Sequence, residues 1–158
     1  MRKWYWIAAL TVLADQLVKW LSSALRGEVT LLPGVLNFTY AENTGMAFSM
    51  FSGQAWLLGL VSAGAILLGW RILRRYPLGT LSRIAAMLML GGAVGNMIDR
   101  FCRGYVVDMC EVLFVRFAVF NVADAALTIG TILMAGSLLF RPEEWREAHG
   151  STEDRTDG

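Results

Sequence analysis

The stretch Phe120-Asn121-Val122-Ala123-Asp124 opens the last hydrophobic run of the chain, which extends from Phe117 to Phe140. Its only ionisable group is Asp124. A predominantly apolar run of roughly two dozen residues is long enough to cross a bilayer as a helix. A carboxylate inside such a helix costs about 3 kcal/mol or more, so it demands a partner and marks a functional position. Asp108, in Tyr105-Val106-Val107-Asp108 just before this helix, offers that partner. Two acids near one membrane face, one in a helix and one in the preceding loop, form the centre from which the chain can be read.

The rest of the chain has the same apolar character. Of its 158 residues, 56% are hydrophobic and 17% charged, with a mean hydropathy of +0.50. Soluble domains carry about 25% charged residues, so this composition defines an integral membrane protein. The net charge of +1, with no basic stripe, gives no sign of a nucleic-acid partner. Cys102, Cys110 and His149 are too few soft ligands for a zinc or iron–sulfur site. The two cysteines are compatible with a disulfide in an oxidising compartment and equally with free thiols.

Four apolar segments are expected to span the membrane, at about 4–25, 54–73, 81–98 and 117–140. The first follows Arg2-Lys3 and offers small residues at Ser22-Ser23-Ala24, which invites a signal-peptide reading. Asp15 and Lys19 inside it, and its full spanning length, argue for a retained helix. The second is uncharged until Arg71 and rich in small residues such as Gly59, Ala63, Gly64 and Gly69, as a packing helix is. Arg74 to Gly79 connect it to the third, whose end carries Gly91-Gly92-Ala93-Val94-Gly95-Asn96. Beyond Phe140 the sequence loses all hydrophobic period, and the tail 141–158 reads as disordered.

The Lys/Arg distribution sets the orientation. Arg2, Lys3, Arg71, Arg74, Arg75, Arg83, Arg141 and Arg146 all fall on one side of a four-span arrangement. Both termini are therefore expected in the cytoplasm, with longer loops at about 26–53 and 99–116 facing outward. In the first of these, Val35 to Tyr40 place β-branched and aromatic residues in near alternation between Pro33-Gly34 and Asn43-Thr44-Gly45, as a strand followed by a turn does. Phe48, Met50, Phe51 and Trp56 supply an apolar edge. The expected fold is a single membrane-embedded domain over 1–158, all-α with four transmembrane helices and a small extramembrane β element on the outer side.

Three polar groups require a reason. Asp15 and Lys19 share one helix face and can pair, either as a structural brace or as a contact for the active site or a lipid headgroup. Asn96 and Arg100 share a face at the end of the third helix. Arg100 there is either an interface anchor or a holder of carboxylate or phosphate oxygens. Asn121 and Asp124 face the same way in the fourth helix, as an interhelical clasp or as part of a site. Two acids held close cannot both ionise freely, so one keeps a proton. One carboxylate can then activate water while the other protonates a substrate oxygen and later the leaving amine.

Five motifs occur in order. They are Asp15-Gln16-Leu17-Val18-Lys19, Asn43-Thr44-Gly45-Met46-Ala47-Phe48, Gly91-Gly92-Ala93-Val94-Gly95-Asn96-Met97-Ile98-Asp99-Arg100, Val106-Val107-Asp108 and Phe120-Asn121-Val122-Ala123-Asp124. Each is modest alone, but together, across four apolar spans, the chain resembles the bacterial lipoprotein signal peptidases, or signal peptidase II, over about 4–140. The resemblance implies an intramembrane aspartic endopeptidase of the bacterial inner membrane. It would cleave prolipoproteins just before a cysteine that carries diacylglycerol. The catalytic dyad would be Asp108 and Asp124, supported by Asp15, Lys19, Asn43, Gly45, Asn96, Arg100 and Asn121. It further implies no metal or organic cofactor, and inhibition by globomycin lodged between the aspartates. Membrane lipids and the prolipoprotein are its partners, and a monomer suffices. One departure is Met109, where many members have Phe after the first aspartate. Met is an apolar substitute that leaves the dyad intact but alters the shape of the substrate pocket.

Two other classes compete. A small carrier could use Asp15, Lys19 and Asp124 as an ion relay, but the chain has no evident internal repeat, and its polar groups cluster at one face. A Mg²⁺-dependent phosphotransferase would need more carboxylates on one helix than are present.

Overall fold

Small and polar residues draw one helix into the centre of the molecule. In the computed structural model, which describes residues 2–25, 27–45 and 53–145, α3 (Thr80–Cys102) buries Ser82, Ala85, Ala86, Met87, Gly91, Gly92, Gly95, Asn96 and Asp99. It packs against α1 (Tyr5–Leu25), α2 (Ala55–Leu73) and α4 (Val122–Phe140). The glycines permit this closeness. A Cβ on Gly91 would lie 2.6 Å from Thr11 Cβ, and one on Gly95 would lie 2.6 Å from Asp15 Oδ2. Gly92 rests against the Ala123 carbonyl. In an apolar solvent, close backbone approach is what holds helices together.

Helix α1 is inside out. Its buried residues Ala8, Thr11, Asp15, Lys19 and Ser22 form one stripe at helical spacing. Its opposite face exposes Trp6, Leu10, Leu13, Leu17, Trp20 and Leu25. Polar residues turned inward and large apolar ones outward suit a helix surrounded by hydrocarbon. Yet among the described residues only α2, α3 and α4 are both long and apolar enough to cross a membrane. Asp15, Gln16 and Lys19 dilute the apolar character of α1, so three helices meet the criterion where four spans were expected.

Three antiparallel strands form a sheet in the order β1 (Val29–Leu32), β2 (Leu36–Asn43), β3 (Val106–Val112). β1 and β2 make a hairpin whose turn needs Gly34 at φ 73°, with Val35 N donating to Leu32 O. β3 follows α3 after a three-residue turn containing Gly104 at φ 80°. Its register sets Phe38 opposite Cys110 and Ala41 opposite Asp108, with a bulge between. The expected strand at Val35–Tyr40 is β2, displaced to Leu36–Asn43.

Other boundaries also move. The fourth helix begins at Val122, not at 117, because Phe120 is extended and exchanges backbone bonds with Cys110 (N to O 3.0 and 2.7 Å). The third runs over Thr80–Cys102 instead of about 81–98. The start of the tail is ordered: Pro142–Trp145 form a 3-10 turn. There Glu144 accepts from Gly79 N at 2.8 Å and from Ser82, and Trp145 Nε1 donates to Ser137 at 3.2 Å. Hydrogen bonding from Ser82 holds the Glu144 carboxyl below its usual range. This clasp closes the end of the bundle opposite the sheet. Arg26, the edge residues Phe48, Met50 and Phe51, the motif residues Met46 and Ala47, and the tail from Arg146 onward with His149 lie outside the described residues.

Candidate active site

β3 is the edge strand of the sheet and packs against α1 and α3, and Val106, Val107, Asp108 and Met109 are all buried. Asp108 enters the bundle from this strand. Its Oδ2 accepts from Asn43 Nδ2 at 3.0 Å, across the β2–β3 ladder, and Asn43 Oδ1 accepts from Gly45 N at 3.1 Å. Its Oδ1 accepts from Asn121 Nδ2 at 2.7 Å. Burial pushes the Asp108 carboxyl up to about 6, and the nearby Asp124 charge adds to this, against the opposing pull of the two amides.

Asp124 arrives through a helix start. Asn121 is the N-cap of α4 and Asp124 is three residues on, and the two form a reciprocal capping box. Asp124 N donates to Asn121 Oδ1 at 2.8 Å, and Asn121 N donates to Asp124 Oδ2 at 3.2 Å. Asn121 therefore stands at the helix mouth, not inside the helix as expected, and touches both acids. Asp124 Oδ1 also accepts from Asn96 Nδ2 at 2.8 Å.

Behind the acids sits a buried ionic group. Lys19 Nζ is 2.8 Å from Asp15 Oδ2, 2.9 Å from Asp99 Oδ2 and 2.9 Å from Asn96 Oδ1. All three charged side chains are fully buried. Asp15 Oδ1 accepts from Ala123 N at 2.9 Å, and Asp99 Oδ2 accepts from Val107 N at 3.2 Å. Those two backbone groups precede Asp124 and Asp108 by one residue each. The ionic group thus grips the chain immediately before both carboxylates. Asn96 joins the two layers, since its Oδ1 also accepts from Asn121 Nδ2 at 3.1 Å.

The structure brings together Asp15, Lys19, Asn43, Gly45, Asn96, Asp108, Asn121 and Asp124. Arg100 stands beside them: it donates to Asn96 O at 3.4 Å and lines the same cleft as Asp124. Asp99 and Gln16 belong to this network and were not among the expected site residues. Gln16 Nε2 reaches Asp15, Gly95 O and Asp99, each at 3.2 Å. A lysine and a second acid buried at matching depth are the available signal for Asp99; Gln16 offers none beyond its place in the first motif. Cys102 and Cys110 are free thiols. Among the described residues no three His, Cys, Asp or Glu side chains are grouped to hold a metal ion.

A helical bundle with an apolar exterior, joined to a small sheet that delivers one of two adjacent carboxylates, is the fold of a membrane enzyme. Two solved structures described as bacterial membrane enzymes, determined by the in meso method at 2.3 and 1.9 Å, share it. The first gives a TM-score of 0.83 at 26% identity over 96% of each chain. The second gives 0.80 at 28% identity over 89% of this chain and 95% of the other. The family model described as signal peptidase (SPase) II matches residues 7–140, and the chain belongs to that family of proteases. Lipoprotein signal peptidases of Lactobacillus johnsonii and Trichormus variabilis are 40% and 42% identical to it. Those alignments cover 87% and 88% of this chain and 92% of each relative.

Proposed function

We propose that this protein is an intramembrane aspartic endopeptidase that removes the signal peptide from prolipoproteins, cutting just before a cysteine that carries diacylglycerol. The observation that carries this reading is the position of Asn121. One residue donates to Asp108 Oδ1 at 2.7 Å and to Asp124 Oδ2 at 3.2 Å. Among the described residues neither acid has an ion-pair partner within 4 Å. The pair is framed by amides and left to share a proton.

A carboxyl that titrates near 6 gives up and regains its proton at little cost near neutrality. In the proposed reaction Asp108 protonates the scissile carbonyl oxygen while Asp124 takes a proton from the attacking water. The new C–O bond gives a tetrahedral diol. Its C–N bond then breaks as Asp124 passes its proton to the cysteine amine, and Asp108 recovers its own from the diol as the carbonyl reforms. Asn96 and Asn121 hold the acids throughout.

The placement of α1 completes the arrangement. Its lipid-suited outer face supports α1 as a fourth span, with both termini in the cytoplasm, the basic end of the bundle inward and the sheet outward, in the bacterial cytoplasmic membrane. The substrate's own lipid brings it laterally to a site at the outer edge of the bilayer. A globomycin-type cyclic peptide would occupy the space between the acids, and nothing in the site requires a second copy of the chain.

The test is incubation of purified wild type, Asp108→Asn and Asp124→Asn with diacylated and non-lipidated precursor, with and without globomycin. Wild type should cut only the lipidated precursor and be blocked by globomycin. Each variant should lose at least about a thousandfold in rate while keeping wild-type helicity. Near wild-type cleavage by either variant would contradict the dyad.

A further inference from the structure

Two cavities reach the acids from different sides, and they differ in character. One, of about 530 Å³, lies among α2, α3 and α4 and touches Asp124, Asn96 and Arg100. Its remaining lining is almost wholly apolar, including Ile66, Trp70, Met87, Leu90, Leu127 and Met134. The other, of about 710 Å³, touches Asp108 and runs beside the sheet, past Asn43 and Gly45 on one side and the segment from Glu111 to Val119 on the other. It is half polar in its residues, with Glu42, Glu111 and Arg116 among Leu113, Val115 and Phe117.

A peptide with its scissile bond at the acids must send one arm into each space. The membrane-embedded signal sequence suits the apolar cleft. The mature lipoprotein has to leave toward water, and the second cavity has the more polar lining, with Glu42, Glu111 and Arg116 beyond the acid, where the first has Arg100 alone. We propose that this second cavity is an extended subsite for the first residues of the mature lipoprotein after its cysteine, with Glu111 and Arg116 as determinants of which sequences are preferred there. The inference rests on the peptidase reading above. From Asp108 to Leu113, one residue past the end of β3, the chain advances five residues, or at most about 17 Å at about 3.3 Å each, so the trough holds about five extended substrate residues. Glu111, three residues along, lies about 10 Å from the acid. It therefore stands beside the third substrate residue, and Arg116 closes the same trough. Neither is expected to touch the scissile bond, so their contribution is to recognition of the remote tail.

The test uses the full chain and signal-bearing peptides with a diacylglyceryl cysteine, followed by tails graded from one residue to about eight. The expected result is a rise in kcat/KM of about tenfold as the tail reaches about five residues, and a plateau beyond. Arg116→Glu should lower cleavage of tails that are acidic at the third to fifth positions relative to tails that are basic there, by about threefold to tenfold. Its effect on the one-residue tail should be smaller than on either. A rate independent of tail length, or a variant that slows acidic and basic tails alike, would overturn the subsite while leaving the peptidase reading intact. Failure of wild type to cut any lipidated peptide would overturn both.

Discussion

Four aspartates lie within one network, in two pairs whose surroundings are opposite. Asp15 and Asp99 share the Lys19 ammonium and have no exposure at all. Asp108 and Asp124 receive their hydrogen bonds from Asn43, Asn96 and Asn121 and from one backbone N–H. A cation neutralises a carboxylate and fixes it; an amide orients a carboxylate and leaves its charge uncompensated. Proximity to other acids therefore does not by itself make an aspartate reactive. What counts is whether the nearest donor carries a full charge. The first pair becomes a brace on Ala123 and Val107, and the second is held by neutral donors alone.

The largest test of this contrast removes the cation. Lys19→Met leaves two buried carboxylates facing each other, and breaking such a group costs about 3–5 kcal/mol. Thermal unfolding in detergent should show that loss. Adding Asp15→Asn and Asp99→Asn to the same chain should recover more than half of it. Equal instability of the single and triple variants would mean that packing, not charge, is what Lys19 supplies.

A smaller effect separates the other pair. Asp108 has an ordinary value of 3.8 and is pushed to about 6 in the folded chain. Well below its ordinary value, at about pH 2, it is neutral whether folded or unfolded, and no stability is lost. As pH rises through about 6 the unfolded chain has already ionised and the folded one must bury a charge. Its contribution therefore falls with rising pH, by at most about 3 kcal/mol. The difference in unfolding free energy between wild type and Asp108→Asn should swing by up to this amount, against wild type, between pH 4 and 8. A difference that stays flat would place the carboxyl in water.

The mildest change cuts the link between the pairs. Asn96 contacts Lys19, Asn121 and Asp124. Asn96→Ala should lower kcat about tenfold, equivalent to about 1.4 kcal/mol, with KM nearly unchanged. A fall in KM affinity without a fall in kcat would assign Asn96 to substrate binding instead.

The helices were legible because length and hydropathy speak for themselves in lipid. β2 was legible through its alternation of Leu36, Phe38 and Tyr40 with more polar neighbours. β3 was not, because Val106 to Met109 are buried in succession, and a strand covered on both sides loses its period. β1 is exposed throughout and so shows no buried face either. The false extension of α4 back to Phe117 came from reading hydropathy alone; Asn121 with Asp124 three residues later is a helix-start signature that marks the boundary. In the site, each of Asp108, Asp124, Asn96 and Asn121 stood out as a polar residue in apolar sequence. The pairing of Asp108 with Asp124 was legible too; the Lys19–Asp99 bridge behind them was not, since it joins helices far apart along the chain, and only the folded bundle specifies it.

The clasp at the other end of the bundle has a consequence for synthesis. The backbone N–H of Gly79, the N-cap of α3, is satisfied by Glu144, a carboxylate 65 residues downstream. While the third helix is being made, that oxygen does not yet exist, and water or lipid headgroups must serve in its place. The bundle can be finished only after the last helix has been released and the chain beyond it has turned back. A chain cut at Phe140 would lack that acceptor and the turn that carries it.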